Sequence, residues 1–136
     1  MKQLGWTSEK QSRELVKAGL AVKTADMYIP QEDTTPRVLQ LSLEEHHAYC
    51  PCWSLGRLVA LLPKVVETKK PKNLYFPEIL PSNNCVAYTA LNKNKEYVFL
   101  KLFATGTESN ATLIDNIVSM ICWLLENNYI KKGNVK

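Results

Sequence analysis

The last third of the chain carries the strongest hydrophobic pattern, and this pattern predicts an amphipathic helix. From Asn110 or Ala111 to Asn128, apolar side chains recur at helical spacing and fill an arc of roughly 200° at about 100° per residue. Trp123 falls in the middle of the opposite face, which favours either a second packing layer or contact with a partner. The other positions of that polar face are Asp115, Asn116, Ser119, Glu126 and Asn127.

Capping signals predict two shorter helices earlier in the chain. Ser8 and Gln11 have the spacing of a capping box, so the first helix is expected from Ser8 to Ala18. The second is expected from Trp53 or Ser54 to Leu62, because Ser54 can cap it and a proline follows its last residue.

Alternating apolar positions predict a three-stranded antiparallel meander. Its strands are expected at Leu74 to Ile79, Cys85 to Leu91 and Glu96 to Ala104. A symmetric turn at residues 92–95 would pair Tyr88 with Phe99 and Ala87 with Leu100. One face then carries Cys85, Ala87, Val98, Leu100 and Leu102, and the other carries Tyr88, Tyr97, Phe99 and Phe103, interrupted by Lys101.

The remaining segments complete the predicted fold. Lys23 to Tyr28 is expected to form a turn or a short helical turn, Val38 to Leu43 a short strand, and residues 64–73 a basic connection. Together these elements indicate an α+β fold, in which a small antiparallel meander packs against two or three helices. The length suits one domain spanning residues 1–136.

Composition and charge are those of an ordinary globular protein. Hydrophobic residues make up 46% and charged residues 22% of the 136 positions, which excludes a disordered, collagen-like or coiled-coil chain. The net charge of +4 arises in residues 69–136, and most of the 17 cations are lysines. A lysine-rich half is typical of a solvated face. Arginine is preferred in phosphate-binding sites, because its planar guanidinium group binds phosphate through two hydrogen bonds.

No targeting signal or membrane span is expected. Residues 1–20 are rich in charge and lack the apolar run of a signal peptide. The most apolar stretch, at residues 113–125, is shorter than the roughly 20 residues that a transmembrane helix needs. We therefore expect a cytoplasmic protein without membrane contact, whose four cysteines are reduced.

The densest group of metal-ligating side chains lies at residues 46–52. His46, His47, Cys50 and Cys52 offer imidazole and thiolate ligands for zinc or copper. The spacing is poor for a structural zinc site, since only Pro51 separates the cysteines and no second pair follows. A polar loop with small packed residues explains the group better, and no cofactor is expected.

Catalysis has the weakest support in the sequence. The two histidines are adjacent, and the chain has no glycine-rich phosphate loop and no strand-turn-serine elbow. Cys50 or Cys52 beside His47 would suit a nucleophile and its base, but such proximity within a loop often arises by chance. We therefore predict no catalytic residue.

The aromatic face of the meander is a candidate surface for single-stranded nucleic acid. Its aromatic rings would stack on bases, and its lysines would contact phosphates. The competing explanation is that a helix covers this face. The glycines and the element order of an RNA-recognition motif are missing, which weakens the nucleic-acid interpretation. The candidate residues are Tyr88, Tyr97, Phe99, Lys101 and Phe103.

Three segments carry a resemblance to a known group of proteins. They are Thr24 to Tyr28 (TADMY), Trp53 to Leu58 (WSLGRL) with Leu62-Pro63 after it, and Trp123 to Asn127 (WLLEN). In this order they resemble small uncharacterised proteins of gut-bacterial genomes, often encoded among prophage or other mobile-element genes. The resemblance spans residues 11–131 and implies a cytoplasmic accessory role, with no activity, cofactor or catalytic residue attached to it.

Within these segments, several residues are expected to have defined roles. Asp26 can accept backbone N–H groups in a turn, and Gly56 can permit the close approach of a neighbouring element. Arg57 lies opposite the leucine stripe of its helix, so Arg57 and Trp123 are the candidates for contact with a protein partner or a second copy.

The function expected from the sequence is that of a non-enzymatic accessory or adaptor protein acting through protein contacts. Single-stranded nucleic-acid binding is the alternative, and a metal-binding loop at residues 46–52 is the third hypothesis.

Overall fold

The computed structural model describes residues 5–30, 35–38, 50–70, 72–105 and 111–133. Within these ranges it contains three α-helices and two antiparallel sheets, which confirms the predicted α+β class. The helices are α1 (Glu9–Ala18), α2 (Leu55–Leu61) and α3 (Leu113–Glu126).

Each helix begins at the side-chain cap that its local sequence provides. The predicted capping box of α1 is present, with Ser8 and Gln11 exchanging hydrogen bonds, and Ser54 caps α2 by accepting from the Arg57 N–H. A second capping box joins Thr112 and Asp115, so α3 starts at Leu113, a little later than expected. The helix starts predicted from the sequence therefore lie within about three residues of the observed starts.

The larger sheet has four strands in the order β4-β5-β6-β7. They are β4 (Val66–Lys69), β5 (Lys72–Leu80), β6 (Cys85–Leu91) and β7 (Tyr97–Phe103), all antiparallel to their neighbours. The predicted meander is confirmed, whereas the connection expected at residues 64–73 is wrong. The strand β4 forms there because Val66 is buried opposite Tyr75, while the lysines around it stay exposed.

The smaller sheet was not predicted, because each of its strands has only two or three residues. Its order is β2-β1-β3, with β1 at Met27–Ile29, β2 at Arg37–Val38 and β3 at Cys50–Cys52. A 3-10 turn at Val22–Thr24 precedes β1. The turn expected from Lys23 to Tyr28 is therefore present only at its start, and Met27 and Tyr28 belong to a strand instead. Most of the strand expected from Val38 to Leu43 lies outside the described residues.

The hairpin between β6 and β7 differs from the symmetric register expected for it. Asn92 Oδ1 accepts the N–H groups of Asn94 and Glu96, both at 2.9 Å, and Lys95 adopts a left-handed φ of 61°. The loop therefore holds five residues, and Leu91 pairs with Tyr97. A bulge between Tyr88 and Thr89 then shifts the pairing by a further residue.

These two shifts exchange side chains between the faces of the sheet. Tyr88 pairs with Lys101 and Ala87 with Leu102, so the predicted pairs Tyr88–Phe99 and Ala87–Leu100 are wrong. A slip of one residue moves a side chain to the opposite face, and both predicted faces are consequently mixed. The helix side of the hairpin carries Tyr88, Val98, Leu100, Lys101 and Phe103, and the opposite side carries Cys85, Ala87, Tyr97, Phe99 and Leu102.

The core lies between α3 and the inner face of the larger sheet. Ile117, Ile121 and Leu124 of α3 are fully buried in one cluster with Val86 and Tyr88 of β6. The expected polar face of α3 is only partly exposed, because Asn116 is buried and its Nδ2 donates to the Asn84 carbonyl oxygen at 2.8 Å. In the part of the chain described here, we find no helix that is both long and apolar enough to span a membrane.

Candidate interaction surface

The face of the larger sheet that points away from α3 is the most distinctive surface of the described chain. Seven large apolar side chains project from it, each between 46% and 65% exposed. We call this set the outer face. Its members are Leu74, Phe76, Leu80, Leu91, Tyr97, Phe99 and Leu102.

Strand register brings the outer face together. Phe76 pairs with Thr89, and Thr89 pairs with Phe99, so the two phenyl rings flank the central strand in one row. They stand two strand spacings apart, about 9.5 Å. Leu91 and Tyr97 form the next pair towards the β6–β7 loop. The exposed apolar side chains are therefore one continuous surface.

The central strand of the outer face carries small side chains. Cys85, Ala87 and Thr89 of β6 are 4%, 2% and 6% exposed, although they point away from the core. They are covered because these small side chains lie between larger ones on β5 and β7. The outer face is therefore formed by the larger side chains that close over the central strand.

Few charged groups share this surface, and the most central one is a carboxylate. Glu78 lies beside Ala87, and its Oε2 accepts a hydrogen bond from Thr89 Oγ1 at 3.3 Å. Glu67 of β4 adjoins the same face opposite Leu74, and Lys72 and Lys69 form a pair at its end. The outer face is mainly apolar, with one central carboxylate and both signs of charge at the β4 side.

The residues predicted to bind nucleic acid are divided between the two faces. Tyr97 and Phe99 stand on the outer face, whereas Tyr88 is buried and its hydroxyl donates to the Pro63 carbonyl oxygen at 2.7 Å. Burial raises the pKa of the Tyr88 phenol. Lys101 and Phe103 lie on the helix side. The predicted platform of five residues is therefore not one surface.

On the helix side, Lys101 forms a cluster with aromatic rings. Its Nζ stands 5.1 Å from the centre of the Phe103 ring and 6.0 Å from that of Trp123. The Trp123 ring also contacts Tyr129, with ring centres 5.7 Å apart. Trp123 is half-buried and packs against the core, which agrees with a second packing layer in the domain.

Arg57 bonds the turn before β1 rather than the aromatic cluster around Trp123. Its Nε donates to the Thr24 carbonyl oxygen at 2.7 Å, and its described contacts share no residue with those of Trp123. The described contacts of these two candidate partner residues therefore involve different elements.

Two of the three segments that carry the sequence resemblance contact each other directly. The Asp26 carboxylate accepts from the Ser54 N–H at 2.9 Å and from the Ser54 hydroxyl at 2.5 Å. The Trp53 indole N–H donates to Thr24 Oγ1 at 3.0 Å, and Arg57 bonds the Thr24 carbonyl. These polar residues therefore hold the start of α2 against the turn before β1, which is a structural role.

The expected close approach at Gly56 is absent. A Cβ built there meets nothing within 4 Å. The described close approach is instead at Gly133, where a Cβ would lie 2.1 Å from the Ala21 Cβ. Gly133 also donates its N–H to the Gly19 carbonyl oxygen at 2.8 Å, which ties the end of the described chain to the end of α1.

The proposed metal ligands are only partly within the described residues. His46 and His47 lie outside them. Cys50 and Cys52 lie in β3, and the buried Cys52 thiol donates to the Thr7 carbonyl oxygen at 3.3 Å. Burial raises the pKa of both thiols, so they stay protonated near neutral pH. Among the described residues, no cluster of three or more His, Cys, Asp or Glu side chains is arranged to hold a metal ion.

A surface depression of about 460 Å³ lies just after α3. It is lined by the five consecutive residues Asn128 to Lys132, and it is open to solvent. Its side chains are two lysines, a tyrosine, an asparagine and an isoleucine. This set contains no carboxylate, imidazole or thiol.

Five members of the outer face were missed by the sequence interpretation, which named only Tyr97 and Phe99. The sequence does carry a signal for them in and just after the predicted first strand of the meander, because apolar residues point to both faces there. Leu74, Phe76 and Leu80 fall on one side, and Tyr75 and Ile79 fall on the other. A strand that is apolar on both sides needs two partner surfaces, and the described fold supplies only one.

Comparisons with protein-family models, with curated proteins and with solved structures each gave no match.

Proposed function

We propose that this protein is a non-enzymatic accessory or adaptor protein that acts by protein contact through the outer face. The observation that carries the proposal is the joint exposure of seven large apolar side chains on one face of the sheet. Exposed apolar patches on monomeric proteins rarely exceed a few hundred Å², and larger ones mark interaction sites. Aromatic residues such as Phe99 and Tyr97 are also the side chains enriched in protein interfaces.

The charge on and around the outer face favours a protein over a nucleic acid. Nucleic-acid surfaces depend on cations that neutralise phosphates. Here Glu67 and Glu78 share the face with Lys69 and Lys72, so the face has no excess of cations. Lys101, the lysine predicted to meet phosphate, is on the helix side. A carboxylate on the platform would repel a phosphate backbone, whereas it is compatible with the polar rim of a protein interface.

Single-stranded nucleic-acid binding is the second candidate function. It is supported by the three exposed rings of Phe76, Tyr97 and Phe99, since base stacking on aromatic side chains is tolerant of sequence. A fluorescence-anisotropy titration with a labelled single-stranded DNA or RNA at low salt tests it. Binding that weakens steeply with salt and is lost in Phe99→Ala would favour this candidate over the first.

The experiment that tests the adaptor proposal is affinity capture from host lysate with matched variants. The baits are the wild-type protein, Phe99→Glu and Val38→Glu, each with and without nuclease. Val38 is the control because it is 68% exposed and lies in the smaller sheet, away from the outer face. Both variants add one carboxylate to an exposed strand position, on the outer face in Phe99→Glu and outside it in Val38→Glu.

We expect the wild-type and Val38→Glu baits to retain the same protein partner after nuclease, and Phe99→Glu to lose it. Equal capture by all three baits would refute the role of the outer face. If nuclease treatment removes the partner, the result favours single-stranded nucleic-acid binding over the adaptor function.

A further inference from the structure

We propose that the outer face selects a partner segment in which an arginine, flanked by apolar residues, is presented to Glu78 between Phe76 and Phe99. The inference rests on the proposed function, since it concerns the same surface, and it adds the chemistry by which the partner is recognised. Two observations support it, namely the position of the Glu78 carboxylate among exposed aromatic side chains and the lack of a described cation that neutralises it.

Strand register places the Glu78 carboxylate close to the row of the two phenylalanines. Glu78 lies beside Ala87 on the outer face, and its Oε2 accepts a hydrogen bond from Thr89 Oγ1 at 3.3 Å. Thr89 is the residue that pairs with Phe76 on one side and with Phe99 on the other. The hydrogen bond therefore directs the carboxylate towards the position that these two aromatic side chains flank.

The described part of the chain supplies no cation to this carboxylate. Its ion pair is that of Glu9 with Arg13, which lies on α1. The lysine of β5, Lys72, is six residues from Glu78, which is about 20 Å along a strand. Lys101 is on the helix side, where its Nζ contacts aromatic rings. Among the described residues, Glu78 is thus a carboxylate without a counter-charge in a mainly apolar surface.

A partner that covers the outer face has to compensate this charge. The Glu78 side chain is partly exposed in the free protein, and an apolar partner would remove its contact with solvent. Burial of an unpaired charge is strongly unfavourable, so Glu78 excludes partners that bring only apolar groups. It also disfavours a symmetric contact between two copies centred on this position, because two carboxylates would then meet. A partner with a cation at this point avoids both costs.

The aromatic side chains beside Glu78 favour an arginine as that cation. Phe76 and Phe99 are each more than half exposed, and their strands are about 9.5 Å apart. A group above the middle of the row is about 5 Å to the side of each strand, within the roughly 6 Å over which an aromatic ring attracts a cation. A planar guanidinium can donate two hydrogen bonds to one carboxylate while its faces contact rings. The exposed Leu80 and Leu102 provide apolar contacts for the residues that flank the arginine.

The test is a fluorescence-anisotropy titration of the full chain with three labelled peptides that differ at one position. Each peptide alternates leucine and serine and has arginine, its neutral analogue citrulline or glutamate at the centre. We expect the wild type to bind the arginine peptide at least about tenfold more tightly than the citrulline peptide, and the glutamate peptide most weakly. Glu78→Gln keeps the shape and an acceptor for Thr89 but removes the charge, so it should reduce the arginine preference to less than about twofold.

Two further variants separate recognition from a structural role of Glu78. Glu67→Gln is the matched control and should keep the arginine preference, since Glu67 lies on the same face at the β4 side, opposite Leu74. Glu78→Arg should bind the glutamate peptide more tightly than the arginine peptide, a reversal that a purely structural role would not produce. Thermal unfolding of each variant checks that it is folded.

Three results would overturn the inference. They are equal affinity of the wild type for the arginine and citrulline peptides, an arginine preference that Glu78→Gln leaves intact, and failure of all three peptides to bind at up to about 1 mM. The proposed function is judged separately, by the capture of a protein partner that depends on Phe99. If that capture succeeds while the arginine preference is absent, the outer face remains a contact surface and only the cationic partner is refuted.

Discussion

Replacing Asp26 by alanine tests whether the turn before β1 and the start of α2 are held together by polar contacts. The carboxylate accepts two hydrogen bonds from Ser54, and Ser54 is itself the cap of α2. Hydrogen bonds to a charged group contribute about 1.5–3 kcal/mol each, and the site is only partly buried. We expect Asp26→Ala to lower the free energy of unfolding by about 2–3 kcal/mol, and Asp26→Asn, which keeps one acceptor, by about 1 kcal/mol.

The assay is equilibrium urea unfolding followed by tryptophan fluorescence. With a slope of about 1–2 kcal/mol per M, the alanine variant should unfold at a urea concentration about 1–3 M lower than the wild type. Glu9→Ala is the control, because the Glu9–Arg13 ion pair is exposed and should contribute less than about 0.5 kcal/mol. An Asp26→Ala variant as stable as Glu9→Ala would refute the structural role of Asp26. Contact with a partner would then be the better explanation for the segment from Thr24 to Tyr28.

Three further predictions concern Gly56, Gly133 and Cys122. Gly56→Ala should stabilise the protein by about 0.5–1 kcal/mol in urea unfolding, because alanine favours a helix and its Cβ meets nothing within 4 Å. Gly133→Ala should destabilise it by about 1–3 kcal/mol, since the new Cβ would lie 2.4 Å from the Ala21 Cα; an unchanged thermal midpoint would contradict this contact. Burial raises the pKa of the Cys122 thiol from about 9 to about 11. The unfolded chain therefore ionises first, and the free energy of unfolding should fall as pH rises from about 9 to about 11, with a smaller fall in Cys122→Ala.

The parts of the fold that depend on local sequence were predictable. Ser8 and Ser54 cap their helices because a short polar side chain reaches the free N–H groups of the first turn, whatever the rest of the chain does. The boundaries of β6 were also predicted correctly, since its apolar run ends at the polar loop that begins with Asn92. These signals lie within a few residues of the structure that they specify.

The parts that the hydrophobic pattern does not encode were not predictable. The register of the β6–β7 hairpin is set by the Asn92 side chain and by a bulge, and neither changes the hydrophobic pattern. The burial of Asn116 depends on the Asn84 carbonyl oxygen, 32 positions away in the chain. The outer face was incomplete in the sequence interpretation for the same reason, because its seven residues are joined only by strand pairing.

The most direct test of the outer face as a contact surface is hydroxyl-radical footprinting of Phe76, Tyr97 and Phe99. Oxidation of these residues is measured in dilute purified protein and in the protein inside cells, with Trp6 as the internal reference. We predict that they oxidise readily when the protein is dilute and are protected severalfold in cells, where the face is covered. Equal oxidation in the two conditions, relative to Trp6, would show that no partner covers the face and would contradict its role as a contact surface.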